Sequence, residues 1–139
     1  MKPVILYRAA SVILVLFAAG HTHGFLNFKP PTTEGLAVRD AMNNVSFRVR
    51  SGVYTYGGFY RGFGLFVTAY LLFCAFLAWQ LGDLARARAT GFGAMAWGLV
   101  AVQVASLVLS WIYFSPPPMI LSAVVVACLA WAAALWPAR

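Results

Sequence analysis

Acidic residues are scarce. The 139-residue chain holds three, Glu34, Asp40 and Asp83, and no two are close enough in sequence to suggest paired-carboxylate catalysis. Cysteine is nearly as rare. Cys74 and Cys128 both fall inside apolar runs, where they read as small buried residues and not as a disulfide or a metal pair. Histidine occurs twice, and a zinc site wants three or four ligands. No serine–histidine–acid set and no phosphate-cradling glycine loop is discernible. The chain therefore lacks a recognisable catalytic set, and its residues lean away from an enzyme. Charge of either sign is thin, at 9% of residues against about 25% in a soluble domain.

What the chain has in abundance is apolar surface. Hydrophobic residues make up 63%, and the mean hydropathy is +0.82. A water-soluble fold of this length could not bury so much, because a small domain hides only part of what its unfolded chain exposes. Lipid as solvent removes the difficulty. The net charge of +7 would suggest nucleic acid in a soluble protein. Here the basic residues flank apolar runs, with no basic patch of interleaved aromatics outside them. That placement fits topology control and contact with membrane lipid head groups, and no nucleic-acid partner is expected.

Four runs have the length of about 20 residues that a hydrocarbon core demands. They cover about 4–25, 59–81, 91–114 and 119–136. Arg8 lies one to two turns inside the first and is expected to snorkel to the interface. Ala18-Ala19-Gly20 also resembles a leader cleavage site, and cleavage there would expose His21-Thr22-His23 as a copper-chelating terminus. The uncleaved span is the reading carried forward. Pro116, Pro117 and Pro118 are expected to form a tight turn between the last two spans.

Residues 27–57 differ in kind. Lys29-Pro30-Pro31 breaks the first helix, and Thr33 is a plausible cap for the next. Val38, Met42, Val45 and Val49 recur at helical spacing and predict an amphipathic helix over about 34–50, lying on the membrane surface or capping the bundle. The expected fold is thus all-α: one polytopic membrane domain, a four-transmembrane-helix bundle with one short interfacial helix. Four spans put both termini on one side. Lys2, Arg8, Arg86, Arg88 and Arg139 fall there, against Lys29, Arg39, Arg48, Arg50 and Arg61 opposite, so the count is even. The basic start of the first span, and the double-Arg 86–88 loop set against the uncharged 115–118 turn, favour cytoplasmic termini.

Ionisable groups at membrane depth are costly, so each is a site candidate. His21, His23, Tyr60, Arg61 and Tyr113 fall at the outward end of the bundle, with Asp40 reaching it from the surface helix. Gln103 lies mid-span, where it reads first as an interhelical hydrogen-bonding group. These residues form the candidate ligand-binding set, with His21 and His23 as candidate metal ligands. Residues two apart on a helix point about 200° apart, so the two imidazoles could share a metal only if the helix broke at Gly20 or Gly24. Arg61 could anchor an anionic ligand or a quinone carbonyl. Gly58 and Gly62, four apart, would let a neighbouring helix approach closely.

Gly20-His21-Thr22-x-Gly24, Arg50-Ser51-Gly52, Phe59-Tyr60-x-Gly62-Phe63-Gly64-Leu65 and Trp79-Gln80-Leu81 together resemble a family of small uncharacterised bacterial four-helix membrane proteins. The resemblance spans nearly the whole chain. It implies a four-helix membrane bundle in a bacterial cytoplasmic membrane and brings no activity with it. His23 falls outside the motif, which favours His21 of the two. Two functions are expected to compete. One is a non-enzymatic accessory or assembly component, acting as a homo-oligomer or in a larger membrane complex. The other is a ligand-handling protein, redox-linked or not, that takes a metal ion, a quinone or a lipid around His21 and Arg61. A transporter fits least, since the chain shows no internal repeat or charged midplane.

Overall fold

The computed structural model describes residues 2–136. Five helices and one hairpin follow in the order α1 (Pro3–Asn27), α2 (Thr33–Asn44), β1 (Ser46–Val49), β2 (Gly52–Thr55), α3 (Tyr56–Arg86), α4 (Gly93–Tyr113) and α5 (Pro116–Ala134). α1, α3, α4 and α5 are each long and apolar enough to cross a membrane. The protein is a multi-pass membrane protein of the four-span helical class. Its outer surface agrees: Phe66 and Trp111 are about three-quarters exposed (74% and 73%). Rings in that position suit lipid or another apolar surface, not water.

The chain forms two compact units. One comprises the chain up to Phe17 and from Leu71 onward; the other is Ala18–Tyr70. In the first unit, Leu6, Tyr7, Ala10, Ser11 and Leu14 make one buried stripe on α1 at helical spacing. Leu71, Cys74, Ala75, Ala78 and Leu81 do the same on α3. Small residues on both stripes let the backbones close, and Ser11 Oγ donates to Ala75 O at 2.8 Å. α4 and α5 pack against each other, and Tyr7 meets Trp136 edge-on at 6.1 Å. Cys74 and Cys128 belong to this unit, and neither forms a disulfide.

One expectation about this unit changes and another is filled out. Pro116–Pro118 do not form a separate turn; they are the first turn of α5, with Ser115 as its N-cap. First-turn amides have no intrahelical acceptor, so proline loses nothing there. Arg8, expected to snorkel, also has partners within the protein. Its Nη2 pairs with Asp83 Oδ1 at 2.6 Å, and its guanidinium lies 3.2 Å over the centre of the Trp79 ring. Trp79 and Asp83 are four apart on α3, hence on one face, so the cation has both an ion partner and a π face.

The second unit holds the end of α1, α2, the hairpin and the start of α3. Thr32, not Thr33, caps α2: its hydroxyl accepts from Gly35 N at 3.1 Å. Glu34 sits in the first turn, where its own backbone amide, then the Thr33 and Thr32 hydroxyls, hold its carboxyl below the usual range. The helix expected to reach residue 50 stops at Asn44. Val45, Phe47 and Val49 alternate with Ser46, Arg48 and Arg50, a period of two that forms β1 instead. β1 pairs antiparallel with β2, Phe47 opposite Tyr54 and Val49 opposite Gly52, through a turn in which Arg50 takes φ 52°. Phe47 also meets Tyr56 at 4.8 Å and Phe59 at 6.0 Å, which seats the hairpin on the first turn of α3.

Candidate functional site

The last two turns of α1 pack on the start of α3 through a short polar ladder. His21 Nε2 lies 3.1 Å from Gly64 O. A carbonyl can only accept, so Nε2 carries the proton. Thr22 Oγ1 is 2.7 Å from Ala18 O and 2.8 Å from Thr68 Oγ1, and Thr68 Oγ1 is 3.3 Å from Gly64 O. Two hydroxyl protons cannot serve three contacts. The short distances assign Thr22 to Ala18 O and Thr68 to Thr22, leaving Gly64 O to His21. Phe25 stacks on His21 at 5.7 Å and tilts against Tyr60 at 5.5 Å. Its ring lies over the bare backbone of Gly64, in the space a β-carbon would take.

Beyond Phe25 lies an open-sided cavity of about 600 Å³, within the range of small-molecule sites. Phe25 and Leu26 line it from the end of α1, Phe28 and Pro30 from the segment that follows, and Val38 and Met42 from α2. Its polar edge is Arg39, Asp40 and Asn43 of α2 with Tyr60 and Arg61 of α3. Gly57 is buried where the two helices meet, and a side chain there would strike Asn43. Among the described residues, neither Arg39, Arg61 nor Asp40 has an ion-pair partner.

Tyr60, Arg61 and Asp40 of the candidate set therefore line this cavity together. His21 does not line it; it stands behind Phe25 and anchors the helix that carries it. His23 is exposed, and its nearest polar neighbour is Asn27, whose amide donates to His23 O at 2.8 Å. α1 runs unbroken through Gly20 and Gly24, so the two imidazoles diverge. Among the described residues no group of three histidines, cysteines or acids could hold a metal ion. Gln103 and Tyr113 belong to the first unit, on α4. Gln103 is buried at 1% exposure, and Tyr113, at the helix end, is exposed.

Sequence reasoning missed Arg39, Asn43 and Phe25 as lining residues. Phe25 could have been found from the ladder it belongs to, since His21 and Phe25 are four apart on one helix face. Arg39 carries no such signal, since one position along from Val38 it falls off the apolar stripe of α2. No protein-family model, curated protein or solved structure matches this chain.

Proposed function

We propose that this protein binds an amphiphilic membrane ligand in the cavity between the end of α1, α2 and the start of α3. The observation that carries the reading is the mixed lining of that cavity, where the apolar side chains Phe25, Leu26, Phe28, Pro30, Val38 and Met42 stand together with Arg39, Asp40, Tyr60 and Arg61. An amphiphile has the same two ends. A metal ion is a poor fit, since the cavity offers one carboxylate and no histidine or cysteine. The cavity has room for a quinone ring or a lipid head group, and its open side leaves the tail outside.

The resemblance to small bacterial membrane proteins supports a bacterial cytoplasmic membrane as the setting. With the termini cytoplasmic, the cavity faces the opposite leaflet. A protease-cleavable amino-terminal tag is then protected in intact spheroplasts; cleavage there reverses the orientation.

The test of the binding reading is native mass spectrometry of the full chain released gently from membrane. The expected spectrum carries one amphiphile per chain, and Val38→Trp, which fills the apolar wall, removes it. A bare chain in every preparation contradicts the reading.

A second reading, an accessory or assembly component, is supported by a shallower groove of about 210 Å³. Gly58 and Gly62 lie in it beside Phe59, Phe63 and Phe66, and a side chain at Gly62 would meet only open space. A close-packed partner helix suits such a floor. The same spectra test it: a chain that always flies alone, with or without lipid, contradicts it.

A further inference from the structure

The cavity carries a charge pattern more specific than an amphiphile requires. Two arginines line it from different elements, Arg39 from α2 and Arg61 from α3, and Asp40 lines it as well. Among the described residues neither arginine is ion-paired and neither is hydrogen-bonded through its side chain. Of the two acids in this unit, Glu34 is engaged by the first turn of α2. The charged groups on the wall therefore sum to one positive charge. Arg39 is half-buried and Arg61 exposed, so a neutral head group would leave water as their acceptor, whereas phosphate oxygens give both a charge-assisted bond. A planar fork of five donors matches a phosphate oxygen pair, and two forks from two helices bracket one phosphate.

Resting on the binding reading above, we propose that the ligand is a glycerophospholipid with a singly charged anionic head group. Its phosphodiester lies between Arg39 and Arg61, and its acyl chains leave through the open side past Phe25, Phe28 and Val38. One negative charge on the diester balances the net charge of the wall. A choline head group adds back a positive charge beside two arginines, so a zwitterionic lipid binds less well. A free phosphate compound shares the recognised group but has nothing to place on the apolar wall.

The test uses the full chain in nanodiscs of phosphatidylglycerol, phosphatidylcholine and diacylglycerol in equal parts, followed by native mass spectrometry. One phosphatidylglycerol is expected per chain, retained about tenfold over phosphatidylcholine. Arg39→Gln and Arg61→Gln each reduce that preference about tenfold, with helicity unchanged by circular dichroism. Arg61→Lys keeps part of it, since charge remains without the fork. Equal retention of phosphatidylcholine or diacylglycerol, lost in Val38→Trp but indifferent to both arginine variants, overturns the head-group assignment while leaving amphiphile binding intact. Displacement of phosphatidylglycerol by millimolar glycerol 3-phosphate overturns the lipid source in favour of a soluble phosphate. Failure of the wild-type chain to retain any lipid ends both proposals.

Discussion

Gly64 has no side chain because Phe25 occupies the space one would need, and its carbonyl is the acceptor for His21. The two facts are linked: a bare α3 backbone lets α1 approach until an imidazole reaches a main-chain oxygen that is already inside a helix. Gly64→Ala is expected to push Phe25 off α3, lengthen the His21 contact and lower stability by about 1–3 kcal/mol. Gly62→Ala meets open space and removes a flexible residue from a helix interior, so it should be neutral or stabilising by up to about 1 kcal/mol. Thermal unfolding of both variants in the same detergent checks the contrast; equal effects would contradict the packing described. At this scale the sequence was partly legible. Depth along the spans puts His21, Tyr60 and Arg61 at one end of the bundle, but it does not say that Phe25 separates His21 from the cavity that Tyr60 and Arg61 line. The partners of Arg8 are not legible in the sequence, because a basic residue near a span end ordinarily needs none beyond the interface. Its pairing needs Trp79 and Asp83 on one face of a helix far along the chain.

At the scale of the element, α3 ends in a Schellman arrangement. Ala89 N bonds to Leu84 O at 3.0 Å and Arg88 N to Ala85 O at 3.3 Å, while Arg88 takes φ 53°. That position ordinarily belongs to glycine, since a β-carbon there is strained. Arg88→Gly should raise stability by about 1 kcal/mol, read as a higher unfolding temperature. A lower temperature would mean that the arginine side chain contributes more than its backbone costs. The four spans were legible because an apolar run of membrane length has few other interpretations, and their ends shifted by only a few residues. The segment after Asn44 was not. Val38, Met42, Val45 and Val49 fit a helix, but Val45, Phe47 and Val49 equally fit a strand. The β-branched residues and the Arg50-Ser51 turn decide for the hairpin. The hairpin matters to the site, since ending α2 early leaves Arg39, Asp40 and Asn43 on a short helix that lines the cavity.

For the whole molecule, the apolar exterior and the few buried polar groups among the described residues describe a protein dissolved in lipid, with a cavity between the end of α1, α2 and the start of α3. The class of fold was readable from composition alone. The cavity was not, because it depends on where α2 starts and stops, and on Gly57 and Gly64 leaving room for Asn43 and Phe25. The most direct measurement is photolabelling in native membrane with a phospholipid carrying a diazirine near its head group, followed by peptide mapping. The account predicts adducts concentrated on residues 25–28, 38–42 and 57–61, lost in Val38→Trp. Adducts spread evenly over the outer faces of α4 and α5, with no enrichment at the cavity, would contradict it.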